Sequence, residues 1–379
     1  MKITAVDAHV WEHKLEGAVY PAWSPGRTWT KLSTTIFRVH TDAGITGIGA
    51  STGSAAITRD LVAPRLIGRD PFYIEQLVRV IRNSGSLWSC MAIACGIEVA
   101  LWDLVGKVAG VPLYRLWGAQ SDCIRAYASL VEMRGPEQRA EDATRLLEQG
   151  FTGVKLRLHA DTMREDIAQV EAVRAAVGDR MAIMVDANQA QEPGTPGSEE
   201  SVVWGYDRAL ATCRELAQLD VTWVEEPLGR YECDLLTRLT AATDVPIAGG
   251  ENNIGLHEFR TLIDQNCYDI IQPDALVGGG LSDLRKIAAY AGMRQKPTIP
   301  HHGGSGLGVA AHLHFSASIP NSPWIELLQE PPALTVPDFQ SLLAEPLIPQ
   351  ADGFVRLPDR PGLGVELSDP VKAMLSAAD

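Results

Sequence analysis

Positive charge is scarce in this chain of 379 residues: Lys and Arg number 33 against 47 Asp and Glu, a formal net charge of −14. Nucleic-acid and anionic-membrane surfaces both reward a basic face, so neither partner is expected. Any anionic substrate must be drawn in by local positive charge. Long apolar runs are also missing. No stretch approaches the ~18 residues of a membrane span, and the opening MKITAVDAHVWEHKL has no apolar signal core. The six cysteines (Cys90, Cys95, Cys123, Cys213, Cys233, Cys267) are scattered with no CxxC pair, which argues against a disulfide frame or a zinc ribbon. Free thiols in a reducing compartment, and so a cytoplasmic protein, are the expectation. What remains is ordinary globular material, 46% hydrophobic and 21% charged, enough for two domains or one large barrel with an added part.

The first stretch alternates like strands over Lys2–Trp11 and Thr34–His40, and Thr41–Gly44 (TDAG) turns the chain into Ile45–Ala50. Between them Glu16–Lys31, rich in Pro, Gly and Trp, predicts a loop, and a long loop in a compact region is usually functional. Helical periodicity follows in Leu77–Arg82 and in Ile93–Lys107, where Ile93, Ile97, Leu101 and Leu104 share a face. Residues 1–120 therefore predict a small α+β unit. From Ile124 onward short apolar strands alternate with amphipathic helices, as in Glu165–Val177, Ala209–Leu219 and Asp283–Ala291. The strand candidates are Ile124–Ala128, Gly153–Leu158, Ala182–Val185, Val221–Val224, Val245–Ala248, Ile270–Gln272, Thr298–Pro300 and Trp324–Ile325. That many βα repeats favour a closed parallel barrel over residues 121–330. A doubly wound nucleotide-binding sheet is the rival, but no G-x-G-x-x-G follows the first strand, and Gly303–Gly308 (GGSGLG) does not fit the spacing. Residues 331–379 are Pro-rich, predict a strand pair around Gly353–Leu367, and are expected to pack back on the N-terminal unit.

The informative residues stand at the strand ends. Asp186 follows Met181–Val185, with Asn188 two positions on; Glu225 and Glu226 follow Val221–Val224; Glu251 follows Pro246–Gly250. In a parallel barrel these ends open on one face. Singly, an acidic residue after a strand often just opens a turn or caps a helix. Together, Asp186, Glu225 and Glu251 would converge, and three carboxylates cannot stay ionised side by side without a cation. Hard oxygen ligands favour Mg²⁺. The series continues with Lys155 and Arg157, whose i, i+2 spacing points both cations to one side of a strand, then Asp274, His301 and His302, and Glu326. Asp274 one strand from a histidine is an arrangement that orients an imidazole and raises its basicity. The polar insertion Gln191–Val202 (QEPGTPGSEESV) predicts a loop over the barrel mouth. His312-x-His314 could suggest a metal-dependent hydrolase, but it lies in a helical setting far from the first barrel strand and predicts a half-buried helix face.

The motifs Ile97–Lys107 (IEVALWDLVGK), Val154–Arg157 (VKLR), Val185–Asn188 (VDAN), Val224–Pro227 (VEEP), Gly249–Asn252 (GGEN), Gln272–Gly280 (QPDALVGGG) and Ile299–Gly304 (IPHHGG) resemble, in this order, those of the enolase superfamily and its mandelate racemase subgroup. The resemblance covers about residues 97–326. It implies an α/β fold, a modified (β/α)7β barrel of the TIM type under an α+β capping domain built from both chain ends. It further implies Mg²⁺ on Asp186, Glu225 and Glu251. Lys155 would neutralise the substrate carboxylate, His301 would be a base oriented by Asp274, and Glu326 would hydrogen-bond a carboxylate oxygen. Asn188 and His302 would line the substrate. The Glu16–Lys31 loop, with Tyr20, Trp23, Arg27 and Trp29, matches the mobile loop that selects substrate in such enzymes, and Ser51 and Thr52 match a second specificity loop. Homo-oligomers are common in the family.

One position departs from the pattern. Many subgroup members carry Lys-x-Lys on the second strand, the second Lys being a base on the opposite face; here that position is Arg157. An arginine stays protonated at ordinary pH and is a better anchor than base. The resemblance therefore implies a one-base reaction. That is proton abstraction α to the carboxylate of a sugar acid, then loss of a β-hydroxyl to give a 2-keto-3-deoxy acid, with racemisation, epimerisation or lactone cycloisomerisation as the alternative. His302 beside His301 leaves an ambiguity, in which the resemblance favours His301 because it directly follows Pro300, and a non-catalytic relative would have been free to lose these groups.

Overall fold

The computed structural model describes residues 1–85, 87–190 and 202–378. The insertion expected over the mouth therefore lies, but for Val202, outside the described residues. Strands β1 (Ile3–Val19), β2 (Trp29–Thr41) and β3 (Thr46–Ser51) form an antiparallel sheet in that order. The turn between β2 and β3 is closed by Gly44, which takes a φ of 73° and donates its N–H to Thr41 O. The predicted 16–31 loop is shorter than expected, because Val19 pairs with Trp29 and draws Glu16–Val19 and Trp29–Lys31 into the hairpin. A partner strand overrides local composition, since strand preference depends on context more than on the residue itself.

The long helix Leu87–Ala109 lies directly on β3. A Cβ at Gly47 would fall 2.0 Å from Ala100 O, and one at Gly49 2.2 Å from Gly96 O, so only glycine lets the two backbones meet. The face holding Ile93, Ile97, Leu101 and Leu104 is buried against β1, β2 and the helix Ile74–Arg82, as its periodicity predicts.

The rest of the chain forms the barrel. Strands β4 (Cys123–Ser129), β5 (Gly153–Arg157), β6 (Ala182–Asp186), β7 (Trp223–Glu225), β8 (Ile247–Gly249), β9 (Ile270–Ile271) and β10 (Trp324–Leu328) run parallel in the order β10-β4-β5-β6-β7-β8-β9. The remaining position is filled by the 297–299 segment, where Ile271 N bonds Pro297 O and Ile299 N bonds Ile271 O, while Thr298 N reaches Asn321 O before β10. Only one bridge, Ile271 to Thr298, forms there, because Pro297 and Pro300 bring no N–H to a ladder. Tyr127, Met184, Trp223, Ala248, Ile270, Ile299 and Trp324, drawn from positions all round the ring, pack together inside it. A helix follows each position up to Gly306–Ala317, which makes a (β/α)7β order.

The C-terminal residues do not form a strand pair with each other. β11 (Phe354–Arg356) pairs antiparallel with β4, and Leu367 only bridges to Leu343. Leu363, Leu367, Val371 and Leu375 share a buried cluster with Ile36, Ile48, Val99 and Leu113 and with Leu281, Leu284 and Leu307 of the barrel helices. Among the described residues no helix is long and apolar enough to cross a membrane, and all six cysteines are free thiols.

Candidate active site

Barrel register decides which side chains share a level at the mouth. Arg157 stands beside Asp186 on the neighbouring strand, and Asp186 beside Glu225 on the next. Glu251 follows β8, and one oxygen from each of Asp186, Glu225 and Glu251 lies within 4.8 Å of the others. Each is fixed locally. Asp186 Oδ1 accepts from Asn188 N at 2.8 Å, a turn for which Asn188 takes a φ of 45°. Glu225 Oε2 accepts from Gln272 Nε2 at 2.8 Å, and Glu251 Oε1 from Asn252 Nδ2 at 3.1 Å.

These carboxylates hold more negative charge than the protein around them neutralises. Burial and the charge of Glu225 lift Asp186 to about 7, against the pull of Arg157 and Lys155. Burial likewise raises Glu251. Glu226, the second Glu of VEEP, is 1% exposed, and neither of its carboxylate oxygens has a hydrogen-bond partner. Burial and its acidic neighbours push it well above the usual carboxylate range. The donor set is all hard oxygen, and the surplus charge with the orphaned Glu226 fits a divalent cation. Glu226 was in the sequence pattern but carried no separate signal as a site residue.

Two cations face this acid cluster. Lys155 is fully buried, its Nζ 2.8 Å from Glu225 Oε1, 2.9 Å from Glu326 Oε1 and 3.5 Å from Asp186 Oδ2. Burial opposes its charge, but Glu225, Glu326 and Asp186 outweigh that and hold it above its ordinary value. Glu326 is opposed by burial too, yet Lys155 holds it below the usual range. Arg157 is committed on every side: Nε to Leu130 O at 2.7 Å, Nη2 to Ser129 Oγ at 3.1 Å, and Nη1 to Asp186 Oδ2 and, at 3.2 Å, to Asn188 Oδ1. The spacing that predicted a shared side for Lys155 and Arg157 placed both against Asp186.

The histidine pair meets the cluster at Glu251. His301 Nδ1 lies 2.8 Å from Asp274 Oδ2, and its Nε2 lies 3.2 Å from Glu251 Oε2. Asp274 is itself pinned by N–H groups of Leu276 and Gly303 at 2.7 and 3.1 Å. Burial disfavours the charged His301, but Glu251, Asp274 and Glu326 overcome it and raise the ring to about 10. The His302 ring lies tilted by 38° against His301 with centroids 3.7 Å apart, and its Nδ1 accepts from Gly304 N at 3.0 Å. Burial and the neighbouring His301 hold it well below its ordinary value. Only His301 therefore has a carboxylate to orient it.

Trp23 of the 16–31 loop meets the site at Arg157. The Arg157 guanidinium lies 4.7 Å from the Trp23 ring centroid, a cation–π contact, and Trp29 meets Trp23 edge-on at 5.6 Å. Tyr20 and Arg27 are exposed. The loop is tied down by its backbone, Tyr20 N to Glu132 Oε1 at 2.9 Å and Ala22 N to Val131 O at 3.0 Å. Ser51 is buried, with its hydroxyl on Ala92 O. His159, which no pattern singled out, donates from Nε2 to Asn188 Oδ1 at 3.1 Å and so shares that oxygen with Arg157. His312 and His314 are wholly buried rather than half-buried: His312 Nε2 accepts from Ala275 N, and His314 Nδ1 from Tyr114 N. Each has a structural partner and they do not share a ligand.

A (β/α)7β barrel under a capping sheet, with carboxylates, lysine and a histidine–aspartate pair at its mouth, defines a class of enzyme. The chain belongs to the enolase superfamily, in the mandelate racemase / muconate lactonizing enzyme group. Residues 15–118 match the group's N-terminal domain and residues 138–371 the enolase C-terminal domain-like family. It is 32% identical to D-galactarolactone cycloisomerase of Agrobacterium fabrum over 97% of each chain. It is 31% identical to arabinonate dehydratase of Saccharolobus solfataricus over 85% of this chain and 83% of the relative. Among solved structures, L-talarate dehydratase from Polaromonas sp. JS666, complexed with Mg and L-glucarate, superposes with a TM-score of 0.84 at 29% identity, covering 98% of this chain and 96% of that one.

Proposed function

We propose that this protein is a Mg²⁺-dependent acid-sugar dehydratase that removes the proton α to a carboxylate and then eliminates the β-hydroxyl as water. The observation that carries the reading is the His301–Asp274 pair set beside Asp186, Glu225 and Glu251. Bound by those carboxylates, Mg²⁺ would supply Lewis-acid stabilisation of the substrate carboxylate as its α-proton leaves. Lys155, held protonated, and Glu326 would meet the same carboxylate. Asp274 accepts from His301 Nδ1–H and so leaves Nε2 as the atom that takes the α-proton. With its charge taken up by the cation, Glu251 would no longer hold His301 in its protonated form, and Nε2 would be free to accept the proton. His301, then an imidazolium, returns the proton to the departing hydroxyl; the C–O bond breaks, water leaves, and the enol tautomerises to a 2-keto-3-deoxy acid.

Arg157 supports a single base. Its guanidinium is raised above an already high value, burial being outweighed by Asp186, Glu326, Glu225 and Glu251, so it stays protonated and cannot act as a base. Asn188, Trp23, Tyr20, Arg27, Trp29 and His302 belong to this proposal as the lining that selects the acid. A second reading keeps the same first step but ends in lactone cycloisomerisation, racemisation or epimerisation; the cycloisomerase relative that aligns along 97% of the chain favours keeping it. A homo-oligomer working in the cytoplasm completes the proposal, the free cysteines supporting a reducing compartment.

Proton NMR in D₂O with Mg²⁺ and pooled aldonic, aldaric and 2-hydroxy acids tests it. Loss of an α-proton signal together with new 3-deoxy methylene signals is expected and names the substrate. Exchange or epimer formation without methylene signals would establish the second reading instead. In a Mg²⁺ titration Glu251→Gln should weaken binding by at least the about 10- to 100-fold lost when a residue that only orients a ligand is changed; unchanged affinity would remove Glu251 from the metal site.

A further inference from the structure

The helix Leu281–Met293 starts at Gly280 with no capping side chain of its own. The acceptor it lacks comes from far away in the chain. Glu98, on the helix Leu87–Ala109, is 1% exposed and accepts Ser282 N–H at 2.8 Å through Oε1. Its Oε2 is buried without a hydrogen-bond partner and lies over Gly280: a Cβ there would sit 1.8 Å from it. Gly280 takes a φ of 90°, so both the backbone and the carboxylate call for glycine. Around this contact Trp102 Nε1 donates to Ser282 Oγ at 3.3 Å, and Arg82 binds Gly279 O and Asp283.

Gly280 is the far end of a short loop whose near end is Asp274. Within it Leu276 N donates to Asp274 Oδ1 at 2.7 Å, and Gly278 N to Asp274 O at 2.7 Å. Gly278 O in turn accepts from Gly255 N at 2.6 Å, beyond the Glu251–Asn253 turn. Both ends of a loop must be fixed for its first residue to hold an angle. We propose that Glu98 is a positioning residue: by capping the helix after this loop it holds Asp274 at the angle that orients His301. Glu98 touches neither substrate nor cation and acts through the loop. Burial lifts its carboxyl to about 7, so a neutral side chain that keeps the acceptor oxygen is compatible with the site.

The inference rests on the function proposed above, and its test has an arm that does not depend on turnover. Amide hydrogen exchange would be followed residue by residue across 274–283 in the Mg²⁺-loaded enzyme and in Glu98→Ala and Glu98→Gln. Exchange in Glu98→Ala should accelerate at least about tenfold at Leu276 and Gly278 as well as at Ser282, while Glu98→Gln, which keeps the acceptor, stays near wild type. Acceleration confined to Ser282 would overturn the proposal. In turnover, Glu98→Ala should lose about 10- to 100-fold in kcat with little change in KM, as when a group that orients a ligand is removed, and Glu98→Gln should recover most of it. A loss seen only in KM, or no recovery by Gln, would also overturn it. If Glu98→Ala does not fold, Gly280→Ala displaces the same carboxylate, and unchanged exchange at Leu276 and Gly278 there would be equally decisive. Should no acid be turned over by the wild type, the function fails while the exchange data still decide the role of Glu98.

Discussion

His301 Nδ1 lies 2.8 Å from Asp274 Oδ2, while the neighbouring His302 offers its Nδ1 to a backbone N–H of Gly304. Two adjacent histidines are thereby given different tasks by their partners. Asp274→Asn keeps the shape but presents an amide to the ring, so His301 loses the group that holds its tautomer. Deuterium exchange at the substrate α-carbon should fall by about 10²- to 10⁴-fold, the range a positioned base contributes. His301→Asn should abolish exchange, with Mg²⁺ affinity retained by calorimetry in both variants. Exchange that persists in His301→Asn would move the base to His302 or to the Arg157 side.

Arg157 spends its donors on Leu130, Ser129, Asp186 and Asn188 beneath the Trp23 ring. Lysine at this position would keep one charge, lose the planar fork and release its proton far more readily. Arg157→Lys should lower the elimination rate and introduce α-deuterium with inversion, seen as an epimer by NMR. A variant that only loses rate, with retention throughout, would show that the opposite face lacks more than a base.

Behind the capping loop, Arg139 and Glu330 form a buried bidentate pair, both Nη–Oε distances 2.9 Å, and Glu330 Oε2 also accepts from Val131 N and Glu132 N at 2.8 Å. Those two residues are the ones that tie down Tyr20 and Ala22. Glu330→Ala leaves Arg139 buried with Asp142, which it must share with Arg134, itself also a partner of Glu330, and should cost about 3–5 kcal/mol in urea unfolding. KM should rise with it, because the loop loses its seat. A stable variant with unaltered KM would disconnect this pair from the loop.

His314 is wholly buried, and burial holds its ring down to about 4 from an ordinary 6.5, against the bond to Leu363 O. Its Nδ1 accepts from Tyr114 N at 3.2 Å, a bond that protonation forbids. The unfolded chain takes up this proton before the folded one does. The stabilisation is therefore complete above about pH 6.5 and is lost as pH falls toward 4, at about 1.4 kcal/mol per pH unit. In urea unfolding at stepped pH the wild type should be steeper than His314→Gln, itself weaker at pH 7, by that slope. Identical slopes would place the acid sensitivity elsewhere, at His159, His302 or His312, whose rings burial also holds down.

Much of this architecture was legible along the chain because parallel βα units repeat at nearly constant length. Asp186, Glu225 and Glu251 could be picked out before any coordinates, since the residue ending a barrel strand must open on the mouth. The strand-like ends of the 16–31 segment were not legible: Val19 pairs with Trp29 through hydrogen bonds set by the partner strand, not by the Pro and Gly nearby. Nor was the seat of the C-terminal strand, because Phe354 could be matched to Arg125 only once the barrel had placed β4.

The sequence by itself determined the barrel, its capping unit and the identity of the acids, the lysine and the histidines at the mouth, because periodicity and strand-end position are short-range properties. Tertiary structure alone decided their commitments: that Arg157 is fully occupied, that His301 rather than His302 meets Asp274, that Glu226 is orphaned, and that Glu98 reaches Ser282 across 184 positions of chain. A hydrogen bond depends on a few tenths of an ångström between groups from distant segments, and no local pattern encodes that distance.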